Sequence, residues 1–229
     1  MSTVDPTAGT APDAPTPSLR VGVLIAVAAA VHVVDVLLDR RVARFVTEDG
    51  RSLQDLSVAV GNAATVLFWV LAVALTVVAL RHRRTLDRSS TSPGLLRLLI
   101  VFLSAASLNV LLNITTLVVA PTLRGVSQPE LIVDLVLIYA STTMTFSVWY
   151  QLADVYLSGG AFDFAPDARY PDHPPRWFDY LSLSFYTNST FGPTLESVRT
   201  RPAKALMMVQ TSLSLLVLVV LIARIIKAN

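Results

Sequence analysis

The chain has 229 residues, of which 53% are hydrophobic and only 15% are charged. Soluble domains carry about 25% charged residues, so this composition excludes an ordinary soluble globular protein and indicates a membrane protein. The net charge of +2 comes from basic residues between apolar runs, which argues against a nucleic-acid surface, and the lack of cysteine excludes disulfides, thiol catalysis and thiolate metal sites.

The chain begins with a segment poor in large apolar side chains, residues 1–19, which is rich in Pro, Thr and Ala. Such a composition does not bury enough surface to fold, so we predict a disordered tail there and one transmembrane domain over residues 20–229. Five later runs are apolar over the roughly 20 residues needed to cross a hydrocarbon core about 30 Å thick. The predicted spans cover about residues 21–38, 56–80, 98–123, 132–156 and 203–226.

A further polar segment precedes the last span. The run from Tyr180 to Leu195 has no charged residue, is rich in Ser and Thr, and is interrupted at Gly192-Pro193. Asp179 stands before it and is a favoured helix N-cap. A short polar helix beside helices that cross the bilayer is one way to build a pore or a binding site, so we predict a re-entrant half-helix over about 180–191. The predicted fold class is all-α, a polytopic bundle of five transmembrane helices and one re-entrant, pore-like half-helix.

The basic residues predict an orientation. Five spans place the chain ends on opposite sides of the membrane, and the side that holds the cluster from Arg81 to Arg88 carries more basic residues than the other. Positive loops favour the cytoplasm. We therefore predict a multi-pass protein of the cell's inner or plasma membrane, with its N-terminus in the cytoplasm and its C-terminus outside.

Thr190-Phe-Gly-Pro-Thr194 follows the predicted half-helix, and a long apolar helix comes next. From Asp179 to Lys227 this order resembles the pore module of two-helix potassium channels, where a pore helix, a Thr-Val-Gly-Tyr-Gly filter and an inner helix follow one another. The resemblance implies a homo-oligomer, a tetramer by analogy, around a pore. It also implies a pore loop, made of Thr187, Asn188, Ser189, Thr190, Phe191, Gly192, Pro193 and Thr194.

The loop departs from the potassium filter at two positions. Pro193 replaces the Tyr and Thr194 replaces the second Gly. Pro fixes φ, and Thr resists the left-handed dihedrals that a filter glycine adopts. We therefore expect a poorly selective cation conduit and not a potassium-selective channel.

Two short segments, Gly159-Gly160-Ala-Phe-Asp-Phe164 and Trp177-Phe-Asp-Tyr180, occur in the region of the last two spans. They resemble segments of uncharacterised bacterial families of multi-pass membrane proteins. This resemblance implies membrane location and no particular activity.

Several polar residues interrupt the apolar spans. Their order along the chain predicts that most of them lie in the half of the membrane opposite to the one the half-helix enters, so that two polar features meet near the middle. Polar groups at this depth either hold helices together by hydrogen bonds or mark an ion or proton pathway. The intramembrane polar candidates are His32, Asp35, Asn62, Asn109, Asn113 and Asp134.

These features predict an integral membrane protein with an ion-channel-like pore loop. A non-conducting membrane scaffold or partner-binding protein is an alternative, and a proton-coupled carrier that uses His32 and Asp35 is another. The chain has no zinc-protease or serine-hydrolase motif, so we expect no enzymatic activity. We expect no cofactor, no metal site and no nucleic-acid partner; the expected partners are the lipid bilayer and a cation.

Overall fold

The protein is an all-α helical bundle. The computed structural model describes residues 18–42, 51–81, 85–86, 91–119, 128–157, 159–164, 174–189 and 196–228. The helices are α1 (Val21–Val42), α2 (Arg51–Leu80), α3 (Pro93–Val119), α4 (Gln128–Tyr156), α5 (Trp177–Asn188) and α6 (Arg201–Ala228). Short strands accompany them, β1 (Leu19–Arg20), β2 (Thr85–Leu86), β3 (Phe162–Asp163) and β4 (Ser197–Val198).

Five of these helices are long and apolar enough to cross a membrane, which confirms the predicted number of apolar spans. The chain is therefore an integral, multi-pass membrane protein. The spans are Val21–Arg41, Val58–Leu80, Pro93–Thr116, Ile132–Tyr156 and Arg201–Val219.

The first helix continues beyond the predicted end of its span at residue 38. It includes Asp39 and reaches Val42. Charged residues can remain in this helix because Asp39 faces the bundle and Arg41 binds Asp134 of α4. Tertiary contacts thus extend α1 past the point at which hydropathy alone ends it.

Helix α4 lies at the centre of the bundle. It packs against α1, α3, α5 and α6, and it is the most buried of the five spans. Helices α2 and α6 are the least buried, and large apolar side chains such as Val66, Trp69 and Val73 stay exposed on α2. An apolar surface of this kind is expected where helices meet lipid rather than water.

Two apolar cores flank α4. One joins α1, α2, α3 and α4 and includes Leu71, Phe102 and Leu103. The other joins α4, α5 and α6 and includes Tyr150 and Leu183. Because α4 contributes to both, its polar residues can reach either side of the bundle.

The strands mark one end of the bundle, which we call the strand face. Leu19 pairs with Leu86, and Phe162 pairs with Val198, so the start of α1, the α2–α3 connection and the segments around α5 meet there. Leu19 ends the predicted tail but is buried in this pairing; residues 1–17 lie outside the described residues. The opposite end, where α1 and α3 finish and α2 and α4 begin, is the far face.

Helix α5 has 12 residues, about 18 Å, which is too short to cross a hydrocarbon core. It runs antiparallel to α4 from the strand face, and Asn188 at its end contacts Tyr139 and Thr143 near the middle of the α4 span. By Ser197–Val198 the chain is again paired at the strand face. Helix α5 is therefore a half-helix that enters the bundle from the face to which the chain returns.

The expected N-cap of the half-helix was wrong. Helix α5 begins at Trp177, and its N-cap is Arg176. Asp179 lies inside the first turn, where its Oδ2 accepts a 2.6 Å hydrogen bond from the backbone N–H of Arg176. The acidic side chain still stabilises the positive end of the helix, but it does so from the third helical position.

Candidate functional site

Two pairs of polar residues, each spaced by one helical turn, face each other between α1 and α3. Asp35 and Asp39 lie on α1, and Asn109 and Asn113 lie on α3. Asn113 Nδ2 donates a 2.8 Å hydrogen bond to Asp39 Oδ1, and Asn109 Nδ2 donates one of 3.2 Å to the same oxygen. With Ser141 of α4, these residues form what we call the acidic cluster.

Ser141 connects the cluster to the central helix. Its Oγ donates a 2.7 Å hydrogen bond to Asp35 Oδ1. Asp35 is only 4% exposed, and Asn109, Asn113 and Ser141 are fully buried. A carboxylate inside a membrane span is costly unless it has polar partners, so the cluster is a functional candidate on physical grounds.

Two amide oxygens of the cluster have no hydrogen-bond partner. The Oδ1 atoms of Asn109 and Asn113 are buried and unpaired although both amide nitrogens are bonded. A buried polar atom without a partner costs about 1–3 kcal/mol. The cluster therefore presents acceptor oxygens that the neighbouring protein groups leave unsatisfied.

Gly61 of α2 completes the wall of the cluster. A Cβ atom at this position would lie 2.7 Å from Asp39 Oδ2, closer than real contacts allow, and 4.0 Å from Asn109 Oδ1. Glycine is thus required there for the Asp39 carboxylate to take its place against α2. The same geometry shows that Asn109 Oδ1 and Asp39 Oδ2 lie near one point.

An ion pair lies between the cluster and the far face. Arg41 of α1 binds the fully buried Asp134 of α4 through Nε, and its Nη2 donates a 3.2 Å hydrogen bond to the Glu130 carbonyl. Asp134 Oδ2 has no partner among the described residues. Asp134 is therefore a buried, paired carboxylate at the end of its span and separate from the cluster's hydrogen bonds.

His32 and Asn62 do not join these hydrogen bonds. The His32 ring stacks on Phe68 with ring centroids 4.5 Å apart, and Asp35 bonds to Ser141 instead. Asn62 is exposed on α2. Of the six intramembrane candidates, the structure thus brings Asp35, Asn109 and Asn113 into one cluster.

The half-helix is held by a second polar group, which we call the polar ladder. Asn188 Nδ2 donates to Thr143 Oγ1 at 2.9 Å and to the Tyr139 carbonyl at 3.2 Å, and its Oδ1 accepts from Ser214. The amide of Asn188 is therefore satisfied by α4 and α6.

The ladder continues toward the strand face. Gln210 Nε2 of α6 lies 2.9 Å from both the carbonyl oxygen and the Oγ of Ser184, and its Oε1 accepts from the Tyr150 hydroxyl. Ser184 Oγ donates in turn to the Thr143 carbonyl at 2.8 Å. These bonds join α4, α5 and α6.

Of the predicted pore-loop residues, three are described. Besides Asn188, these are Thr187 and Ser189. Thr187 Oγ1 donates to the Leu183 carbonyl of its own helix at 2.8 Å, and Ser189 Oγ donates to the Tyr186 carbonyl at 3.1 Å. Thr190, Phe191, Gly192, Pro193 and Thr194 lie outside the described residues. The described polar side chains at the end of α5 therefore bond to helices.

The two polar features occur at the same depth but on different sides of α4. Ser141 bonds to α1, whereas Thr143, two residues later, bonds to α5. Helix α4 thus stands between the acidic cluster and the polar ladder.

Asp154 forms the joint at the strand face. Its Oδ1 accepts the backbone N–H groups of Ala161 and Phe162 at 2.6 and 3.1 Å, and its Oδ2 accepts the Tyr180 hydroxyl at 2.6 Å. Burial raises the pKa of Tyr180, and the Asp154 carboxylate raises it further, so the hydroxyl stays a donor. Gly160, with φ of 75°, gives the turn that aims these N–H groups.

Comparison of the chain with protein-family models, with curated proteins and with solved structures found no match. The site must be interpreted from its own chemistry. Among the described residues, no three His, Cys, Asp or Glu side chains come together as a metal site. The acidic cluster offers instead two carboxylates, two amides and one hydroxyl, all of them hard oxygen ligands or their hydrogen-bond partners.

Proposed function

We propose that this membrane protein translocates a small cation, a proton or a metal ion, by means of the acidic cluster. The observation that carries the proposal is the position of Asp35 and Asp39 in the first span, facing Asn109 and Asn113. Intramembrane carboxylates that face the bundle interior are typical of ion and proton pathways. Such a role corresponds to the carrier alternative, with Asp39 in place of His32 beside Asp35.

The cluster has a negative charge balance. Within the described part of the chain, the hydrogen bonds to Asp35 and Asp39 come from neutral hydroxyl and amide donors, and Arg41, on the same helix as the two carboxylates, is bonded to Asp134. Two carboxylates one turn apart repel each other in a medium of low dielectric constant, and a bound proton or metal cation relieves that repulsion. The charge therefore favours a cation over an anion as the cargo.

The Arg41–Asp134 pair suggests the route of entry. It lies between the cluster and the far face, and Arg41 is partly exposed. Separation of this pair would open the cluster toward the α1–α2 and α3–α4 connections. We propose that cations reach Asp39 from this side.

The scaffold alternative has its own support. The side chains of Thr187 and Asn188 already make hydrogen bonds to groups in helices, so they need no ion as a partner. Helix α5 then acts as a packing element that fixes α4 against α6. The pore-loop conduit depends on Thr190 to Thr194 and stays a prediction, as does the tetramer that would surround it.

Flux through purified protein in liposomes tests the proposal. Proton and sodium uptake would be followed with pH-sensitive and sodium-sensitive dyes, for wild type, Asp39→Asn and Asp35→Asn. The matched control is Asp55→Asn, which neutralises an exposed carboxylate on α2. We expect both cluster variants to lose uptake and the control to keep it.

Other results would assign the function elsewhere. Uptake that survives Asp39→Asn and Asp35→Asn but falls in Thr190→Val would favour the pore loop over the cluster. No uptake of either cation by the wild type would favour the scaffold.

A further inference from the structure

We infer that the acidic cluster is a binding site for one monovalent metal cation of the size of Na⁺, liganded by Asp39 and by the amide oxygens of Asn109 and Asn113. This inference deepens the proposed function, on which it rests, because it names the ion. Asp35 provides a second carboxylate in the cluster, and this carboxylate accepts a hydrogen bond from Ser141.

The unpaired amide oxygens are the first argument. Asn109 Oδ1 and Asn113 Oδ1 are buried without a hydrogen-bond partner, and both amides are bonded to Asp39 through their nitrogens. A half-turn of an Asn amide exchanges its oxygen and its nitrogen. Each amide can thus donate to the free carboxylate or turn its oxygen to a cation held there.

Enclosure by α2 is the second argument. The backbone of Gly61 lies against Asp39 Oδ2, and the point where a Cβ would sit is also near Asn109 Oδ1. One carboxylate oxygen of Asp39 and the amide oxygen of Asn109 therefore lie close together in a confined space between α1, α2 and α3. A confined set of oxygen ligands favours a small ion over a large one.

The chemistry of the ligands selects the class of metal. Carboxylate, amide and hydroxyl oxygens are hard ligands, and no thiolate or imidazole bonds to the cluster among the described residues, so soft transition metals are disfavoured. Calcium sites use several carboxylates and six to eight oxygens. The cluster supplies two carboxylates, and Asp134 is already bound by Arg41, so a calcium ion would have fewer anionic ligands there than it usually takes.

Sodium-dependent thermal stability of the full-length protein in lipid nanodiscs tests the inference. The unfolding midpoint would be measured over a range of NaCl concentrations at fixed, mildly alkaline pH, with choline chloride holding the ionic strength constant. A ligand that binds only the folded protein raises this midpoint. KCl and CaCl₂ series would run in parallel.

Three variants make the result specific. We expect NaCl to raise the wild-type midpoint and Asp39→Asn to abolish the effect. Gly61→Ala keeps every ligand but displaces the carboxylate, so it should weaken the apparent sodium affinity about 10- to 100-fold. Gly22→Ala is its matched control, since a Cβ at position 22 of α1 meets no atom within 4 Å.

Specific outcomes would overturn the inference. They are an equal sodium response in wild type and Asp39→Asn, no sodium response beyond that of choline, or a larger response to Ca²⁺ than to Na⁺. Proton uptake that depends on Asp39 without any sodium effect would sink the sodium site and leave the proposed function standing. Sodium binding without flux of any ion would support the sodium site and contradict the proposed translocation.

Discussion

Asn113 of α3 and Asp39 of α1 are joined by a hydrogen bond of 2.8 Å, and this bond orients a carboxylate that is half-buried in the far half of the bundle. Asn109, one turn away, adds a weaker bond to the same oxygen. The site is thus made of two residue pairs, each spaced by one helical turn, that face each other across the interface between α1 and α3. Such matching places charge inside a membrane bundle in a fixed position.

A partly buried carboxylate that is kept for binding should lower the stability of the ion-free protein. We expect Asp39→Asn to raise the free energy of unfolding by about 1 kcal/mol in sodium-free buffer, because a half-buried charge is removed while the amide still fits. Asn113→Leu should lower it by about 1–3 kcal/mol, because Asp39 then loses its best donor. Chemical denaturation in mixed micelles measures both. Destabilisation of equal size in the two variants would mean that Asp39 serves the fold and not a ligand.

The polar ladder makes a different prediction. Asn188→Leu removes an amide that bonds to Thr143 and Ser214, so stability should fall by about 1–2 kcal/mol, the upper range for such bonds in membrane proteins. Ser212→Ala is the control, since Ser212 is exposed and its described hydrogen bond goes to the Met208 carbonyl of its own helix. Thermal unfolding in nanodiscs gives the comparison. Ion flux that disappears in Asn188→Leu at unchanged stability would contradict the packing role of α5.

The sequence predicted the helical spans more completely than it predicted the acidic cluster. The five spans follow from hydropathy, and the spacing of Asn109 and Asn113 was visible. Asp39 was missed because the predicted span ends where consecutive charged residues begin, at Asp39-Arg40-Arg41, although Asp35 and Asp39 share the spacing of one turn. Ser141 and Gly61 join the site through contacts between distant parts of the chain, for which the sequence carries no local signal.

The sequence predicted a half-helix before the last span, but it placed the first residue of that helix at about 180, whereas α5 begins at Trp177. An acidic residue near the start of a helix is favoured both as the N-cap and as the third helical residue, and Asp179 is the third helical residue. The side to which Asn188 turns depends on α6, because Ser214 and Gln210 complete the ladder. Neither residue is among the intramembrane candidates of the sequence analysis, although both are polar residues within the last span.

The joint at the strand face can be tested with two adjacent glycines. Gly159 and Gly160 both have positive φ, so alanine at either should destabilise by about 1–2 kcal/mol. Alanine at position 160 should cost more, because its Cβ would also lie 3.1 Å from Asp154 Oδ1, whereas position 159 faces open space. Midpoints of thermal unfolding rank the two variants. Equal losses would show that the Asp154 contact adds nothing beyond the backbone conformation.

The orientation of the bundle is the remaining prediction, and the structure decides where to probe it. Leu86 lies in the basic α2–α3 connection but is only 2% exposed, so a cysteine there would stay unlabelled on either side of the membrane. Thr85 and Pro129 are exposed at the strand face and the far face, and the chain has no native cysteine. Because the cluster from Arg81 to Arg88 favours the cytoplasm, an impermeant maleimide applied to intact cells should label Pro129→Cys and spare Thr85→Cys. Labelling of both variants after the membrane is opened confirms that each thiol is reactive. The reverse pattern in intact cells would turn the bundle over, place the entrance to the acidic cluster in the cytoplasm, and give the half-helix the orientation of a potassium-channel pore helix.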